Sequence, residues 1–227
     1  MDFPVAQTDA ERIAHRFAAA RWPHLSDPYD QALKAAVRDI LGWIPDVLEI
    51  IASGTIVRGT PDPTSDLDLY VLRRDLRRQR VQRWYNGVPA EIFINPVPKV
   101  HDYIQAEGRE GRPITAHMVS TGFVVLKLGP EVDTLIEEAK DALAEPFEPS
   151  DERLTQIRYG AATRYEDATD VASTRPETAI MMMDLAVRDM IHYTFLKAQR
   201  RLPRDKDLLT ALEDLAPALA AKVKCYY

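Results

Sequence analysis

"SGTIVRGTPDPTSDLDLYVL", residues 53–72, holds a Gly-Thr step, an Arg-Gly step, two prolines and two aspartates one residue apart before it turns apolar. The segment "DLDLYVL" (66–72) alternates in character, and residues i and i+2 of a strand share a face. Asp66, Asp68 and Tyr70 fall on one side, and Leu67, Leu69 and Val71 on the other. Two carboxylates side by side repel each other, which is costly on a purely structural face. A divalent cation removes that cost, and Mg²⁺ prefers hard oxygen ligands.

Glu91, on the same kind of face of the strand "PAEIFINP" (89–96), is a candidate third ligand, with an exposed strand acid as the alternative. Three such groups would hold two metals in the arrangement that clamps the attacking and leaving oxygens of an in-line displacement at phosphorus. Gly54 closes "DVLEIIAS" (46–53), which reads as a short buried strand. A residue without a side chain there lets backbone N–H groups approach a polyphosphate. Thr55 adds a hydroxyl and Arg58 a positive charge, although Arg58 also fits a plain surface position. Between Thr55 and Asp66, Pro61 and Pro63 stiffen a loop that Gly59 lets bend, and Thr60 and Ser65 read as turn formers.

Helical spacing is expected over 8–20, with Thr8 as N-cap, and over 28–43, stopped by Pro45. The run "RRDLRRQRVQR" (73–83), six arginines against one aspartate, reads as a helix closed by Asn86-Gly87. Its arginine stems would lie over apolar neighbours or its charge would attract phosphates. Further helices are expected at 97–107, 113–120 and 131–143, and a fourth strand at 122–129. "EPFEPS" (145–150) then interrupts the pattern. Beyond it only helical patterns follow, at 151–170, 176–200 and 205–224, starting at Ser150, at Ser173 or Thr174 before Pro176, and at Asp205. The expectation is an α+β chain: a mixed-sheet domain over 1–145 and an all-α helical bundle over 151–227.

The chain has 227 residues, 46% apolar and 28% charged, an ordinary globular balance. No apolar run is long enough to cross a bilayer, and the first thirty residues lack a signal peptide's apolar centre. The single cysteine, Cys225, excludes an internal disulfide framework and suits a reducing compartment. A cytoplasmic protein without a membrane partner is expected. The net charge of −6 argues against a general polyanion binder.

The order Gly54-Thr55, ten residues, Asp66-Leu67-Asp68, then Glu91 on a later strand resembles the motif of the nucleotidyltransferase superfamily that includes DNA polymerase beta. The helical C-terminal part resembles, in layout, the kanamycin (aminoglycoside) nucleotidyltransferase branch. The resemblance implies a sheet with antiparallel strands and helices. It also implies Mg²⁺-dependent transfer of a nucleoside monophosphate from ATP or another NTP, with release of pyrophosphate. By it, Gly54 and Thr55 match the phosphate-binding pair, Asp66 and Asp68 the metal ligands, and Glu91 the third acid. Relatives in that branch imply a homodimer. Thr55 departs from the commoner serine but keeps the hydroxyl.

The expected acceptor is a hydroxyl on a small molecule. The arginine run leaves RNA or a protein side chain open as acceptor. The threonine and the missing base motif leave open a non-catalytic, nucleotide-sensing or antitoxin-like module. Glu166 in "RYEDATD" (164–170) is the candidate general base, against a helix face with i,i+4 charge pairs. "AIMMMDLAVRDMIHYTF" (179–195) reads as core, its methionines as filling. Arg188 and His192 within it resemble the Arg–His pair of HEPN ribonucleases but stand closer together, and His192 reads as structural. His15, His24, His101 and His117 have no metal-ligand spacing.

Overall fold

The computed structural model describes residues 8–227, so the first seven residues of the expected 1–145 domain lie outside the described residues. The chain packs as two compact units, one of residues up to Gln105 with Ile114–Ala144, the other of Ala106–Pro113 with Glu145–Tyr227. In chain order the first part holds α1 (Asp9–Ala18), α2 (Tyr29–Trp43), β1 (Val47–Ser53), the single turn α3 (Gly54–Val57) and β2 (Leu67–Arg73). It continues with β3 (Gln79–Tyr85), β4 (Val88–Pro96), α4 (Val97–Arg109), α5 (Ile114–Thr121), β5 (Phe123–Lys127) and α6 (Glu131–Ala144). The five strands form one mixed sheet in the order β3-β4-β2-β1-β5. Only β2 and β4 run parallel; every other pair is antiparallel. The chain is α+β.

Side-chain alternation gives this sheet two apolar faces. Leu67, Leu69 and Val71 of β2 join Ile50 and Ala52 of β1 and Ile92 and Ile94 of β4 against Leu33, Val37, Ile40 and Leu41 of α2. Tyr70 and Leu72 join Ile51 on the other face, covered by Val100 and Ile104 of α4, Val119 of α5 and Val132 and Leu135 of α6. Every residue of β1 is buried, as expected for a central strand with helices on both faces. One of them is Glu49, fully buried, with a carboxylate that accepts the Val132 N–H (2.9 Å) in the first turn of α6. Its second oxygen has no hydrogen-bond partner among the described residues. Burial, first of all, pushes its pKa up to about 7.

The expected helix over 73–83 is not formed. Gln79–Tyr85 is β3, an edge strand paired in register with β4 from Gln79↔Ile94 to Tyr85↔Val88. Asn86 and Gly87 form the two-residue turn between them, both with positive φ (50° and 80°), the backbone that tight hairpins need. Arginine is a good helix former in isolation, but Val81, Trp84 and Tyr85 suit a strand and the hairpin decides. Pairing through β4 outweighs local propensity.

The second unit holds α7 (Asp151–Val171), α8 (Pro176–Lys197), a 3₁₀ turn at Asp205–Asp207, α9 (Leu208–Leu215) and α10 (Pro217–Tyr226). Ser150 caps α7 as expected, its Oγ accepting the Arg153 N–H at 3.2 Å. Neither Ser173 nor Thr174 caps α8; Arg175 precedes it and Pro176 opens it. The single helix expected over 205–224 is broken at Ala216-Pro217, because proline lacks the N–H that would continue α9. Ile191 and Phe195 of α8 pack with Leu212, Ala220 and Val223. Met181 is a correction to the expected methionine core: it is 70% exposed. His192 is half-buried, its pKa lowered by burial and by Arg188. No described helix is long and apolar enough to cross a membrane.

Candidate metal centre

The carboxylates meet because of strand register. Asp68 lies one residue into β2 and pairs in register with Glu91 of the parallel neighbour β4. Parallel strands in register point paired residues the same way, so the two acids stand side by side on one face. Asp66, just before β2, is two residues from Asp68 and joins them. Ligand oxygens of Asp66, Asp68 and Glu91 all lie within 4.8 Å of one another. The aspartates are half-buried and Glu91 is buried.

Gly54 explains the closeness, for a reason different from the one read in the sequence. Its φ is +86°, and a Cβ placed there would stand 2.3 Å from Asp68 Oδ2. The absent side chain makes room for a carboxylate of the cluster. Ser53, which precedes it, pairs with Asp68 across the antiparallel β1–β2 ladder, so the bend falls beside the acids. Thr55 does not point a free hydroxyl outward; its Oγ1 and the Ser65 hydroxyl share a hydrogen bond of 2.9 Å. Ser65 also accepts the Asp62 N–H (2.8 Å), so it serves the turn, as expected. Arg58 is exposed after α3 and acts on Asp68 through its charge.

Burial pushes the Asp68 pKa up to about 6, and the neighbouring Asp66 charge adds to the rise; Arg58 and Arg80 oppose it. Carboxylates placed so that their charges conflict are unusual unless something relieves them. Three hard oxygen donors within 4.8 Å of one another, one of them in space that the missing β-carbon of Gly54 leaves open, fit a magnesium-sized cation.

Arg80 escaped the sequence reading. It lies on β3 opposite Phe93, its guanidinium is 5.2 Å from the centre of that ring, and its Nε donates to Glu91 Oε1. The signal that could have found it is the Asn86-Gly87 hairpin, which puts Arg80 and Gln82 on the acid-bearing face. Three of the other five arginines of the run have side-chain partners: Arg73 with Asp46 (2.8 Å), Arg78 with Asn95 (3.1 Å) and above the Tyr103 ring, and Arg83 with Asp39; Arg74 and Arg77 are exposed. Glu166 is exposed on α7, in the second unit, between the exposed Tyr165 and Asp167.

In a comparison with solved structures, the chain is similar to a nucleotidyltransferase-like protein from Exiguobacterium sibiricum 255-15, with a TM-score of 0.50 and 12% identity. The chain has a nucleotidyltransferase-like fold. The likeness covers 84% of this chain and 64% of that one, so the chain spans about 64% of that protein's length. No family model matches, and no curated protein sequence does. Within this nucleotidyltransferase-like fold, the Asp66–Asp68–Glu91 cluster is the group of described residues able to hold a metal ion.

Proposed function

We propose that the protein is a Mg²⁺-dependent nucleotidyltransferase that moves a nucleoside monophosphate, AMP from ATP in the first instance, to a hydroxyl of a small-molecule acceptor. The observation that supports it is the in-register meeting of Asp68 with Glu91, and of both with Asp66, beside the Gly54 bend on a nucleotidyltransferase-like fold. In this reaction the acceptor oxygen bonds to the α-phosphorus, the α–β bridging P–O bond breaks, and pyrophosphate leaves with that electron pair. The hydroxyl proton goes to a carboxylate.

Asp66, Asp68 and Glu91 would hold the metal. When bound, Mg²⁺ supplies positive charge to the phosphate oxygens and orients attacking and leaving groups in line. Asp68 and Glu91, fixed by the β2–β4 ladder, need no rearrangement to face one point. Gly54 keeps the Asp68 carboxylate in place by leaving its space open. Arg58, exposed and near enough for its charge to act on Asp68, would add positive charge for a triphosphate.

A small acceptor is favoured over RNA because half of the arginine run has its charge met by an acid: Arg73, Arg80 and Arg83 each face one. The test is an acceptor screen with α-labelled ATP, GTP, CTP and UTP and Mg²⁺ against hydroxyl-bearing small molecules, bulk transfer RNA and a protein mixture. Label on a small molecule with equimolar pyrophosphate is the expected result. Label on RNA or protein alone moves the acceptor class. Binding of ATP and Mg²⁺ with no transfer to any acceptor overturns the catalytic reading.

A further inference from the structure

The acid cluster already has a cation of its own. Arg80 Nε donates to Glu91 Oε1, yet the two partners differ sharply: the Glu91 side chain is 11% exposed and that of Arg80 is 64% exposed. The arginine thus reaches in from the edge strand, its guanidinium against the Phe93 ring, with most of its side chain facing solvent. A guanidinium and a divalent cation are alternative partners for the same carboxylate oxygen, since guanidinium only donates and a metal only accepts electron pairs. Their charges also repel at contact distance.

We propose that Arg80 is a docked arginine that competes with the metal for Glu91 and, once displaced, binds the phosphates of the incoming nucleoside triphosphate. The idea rests on the metal reading of the cluster given above. Three features support it. The pairing leaves Asp66 and Asp68 beside a Glu91 whose Oε1 is taken. The side chain is largely exposed on an edge strand, so it can swing without disturbing the sheet. And a planar guanidinium with several donors suits phosphate oxygens, where lysine offers only a point charge. The consequence is coupling: metal alone must break an ion pair, whereas metal arriving with a triphosphate gives the freed arginine a new anion.

The test compares Mn²⁺ binding, read by the paramagnetic signal of the free ion, for the full chain and for Arg80→Gln, Arg80→Lys and Asp68→Asn. Thermal melts confirm that each variant is folded. For Arg80→Gln the two affinities should move in opposite directions. Mn²⁺ alone should bind about threefold to tenfold more tightly, and Mn²⁺ with a non-hydrolysable ATP analogue about tenfold more weakly, the scale of one charged hydrogen bond. Arg80→Lys should fall between. Affinities that stay unchanged in Arg80→Gln, or that both move the same way, overturn the role of Arg80. Asp68→Asn should lose Mn²⁺ binding in both assays. If Asp68→Asn binds Mn²⁺ like the parent, or if the parent binds none, the metal reading itself fails.

Discussion

Glu49 and Asp68 sit on the same face of one sheet, on neighbouring strands, and burial raises the pKa of both. They nevertheless do different things. Glu49 lies under α6 and gives one oxygen to the Val132 N–H in its first turn, where a helix favours negative charge. Asp68 lies toward the other end of the strands, beside the Gly54 bend, with two more carboxylates next to it. A buried acid with a helix over it serves the fold. A half-buried acid that faces other acids is relieved by a cation: Arg80 on Glu91 in this structure, and a metal ion in the proposed function.

The double substitution Asp66→Asn with Asp68→Asn separates the two roles most strongly. It should lower nucleotidyl transfer by about a thousandfold or more and leave the melting temperature unchanged or raised, because it removes repulsion. Pyrophosphate release and a thermal melt together measure it. Gly54→Ala comes next. A left-handed backbone at +86° costs an alanine about 1–2 kcal/mol. The new methyl also displaces Asp68, which should reduce turnover about a hundredfold.

Glu49→Gln should show the opposite pattern, with turnover near that of the parent and an altered pH profile of stability. The folded-state pKa of Glu49 is raised from 4.5 to about 7, so its protonated form is favoured by folding. Its contribution is fully present below about pH 4.5 and is lost as pH rises through 7. Denaturant unfolding should find that Glu49→Gln gains on the parent by up to about 3 kcal/mol between pH 4.5 and pH 8. Arg83→Ala gives the smallest effect. Its exposed pair with Asp39 should be worth under about 1 kcal/mol, with turnover unchanged.

Much of the centre was legible because it rests on periodicity. Alternation in 66–72 put Asp66 and Asp68 on one face, and the apolar run before Gly54 read as the buried strand it is. Thr8 and Ser150 cap their helices as read. What could not be read so easily depends on partners distant in sequence. Arginines on both faces of 79–85 hid a two-residue alternation, and only pairing with β4 makes that segment a strand. Glu49 passed as part of an apolar run because its partner N–H comes 83 residues later. The role of Gly54 was attributed to phosphate contact, whereas its geometry answers to Asp68. Arg80 followed from the hairpin and was lost with it.

The most direct measurement is the anomalous signal of Mn²⁺ in crystals of the protein soaked with the ion and a non-hydrolysable nucleoside triphosphate. The account predicts a peak bounded by Asp66, Asp68 and Glu91, with Arg80 turned away from Glu91 and onto the phosphates. A cluster without metal, holding its Arg80–Glu91 pair while nucleotide binds elsewhere, would contradict it.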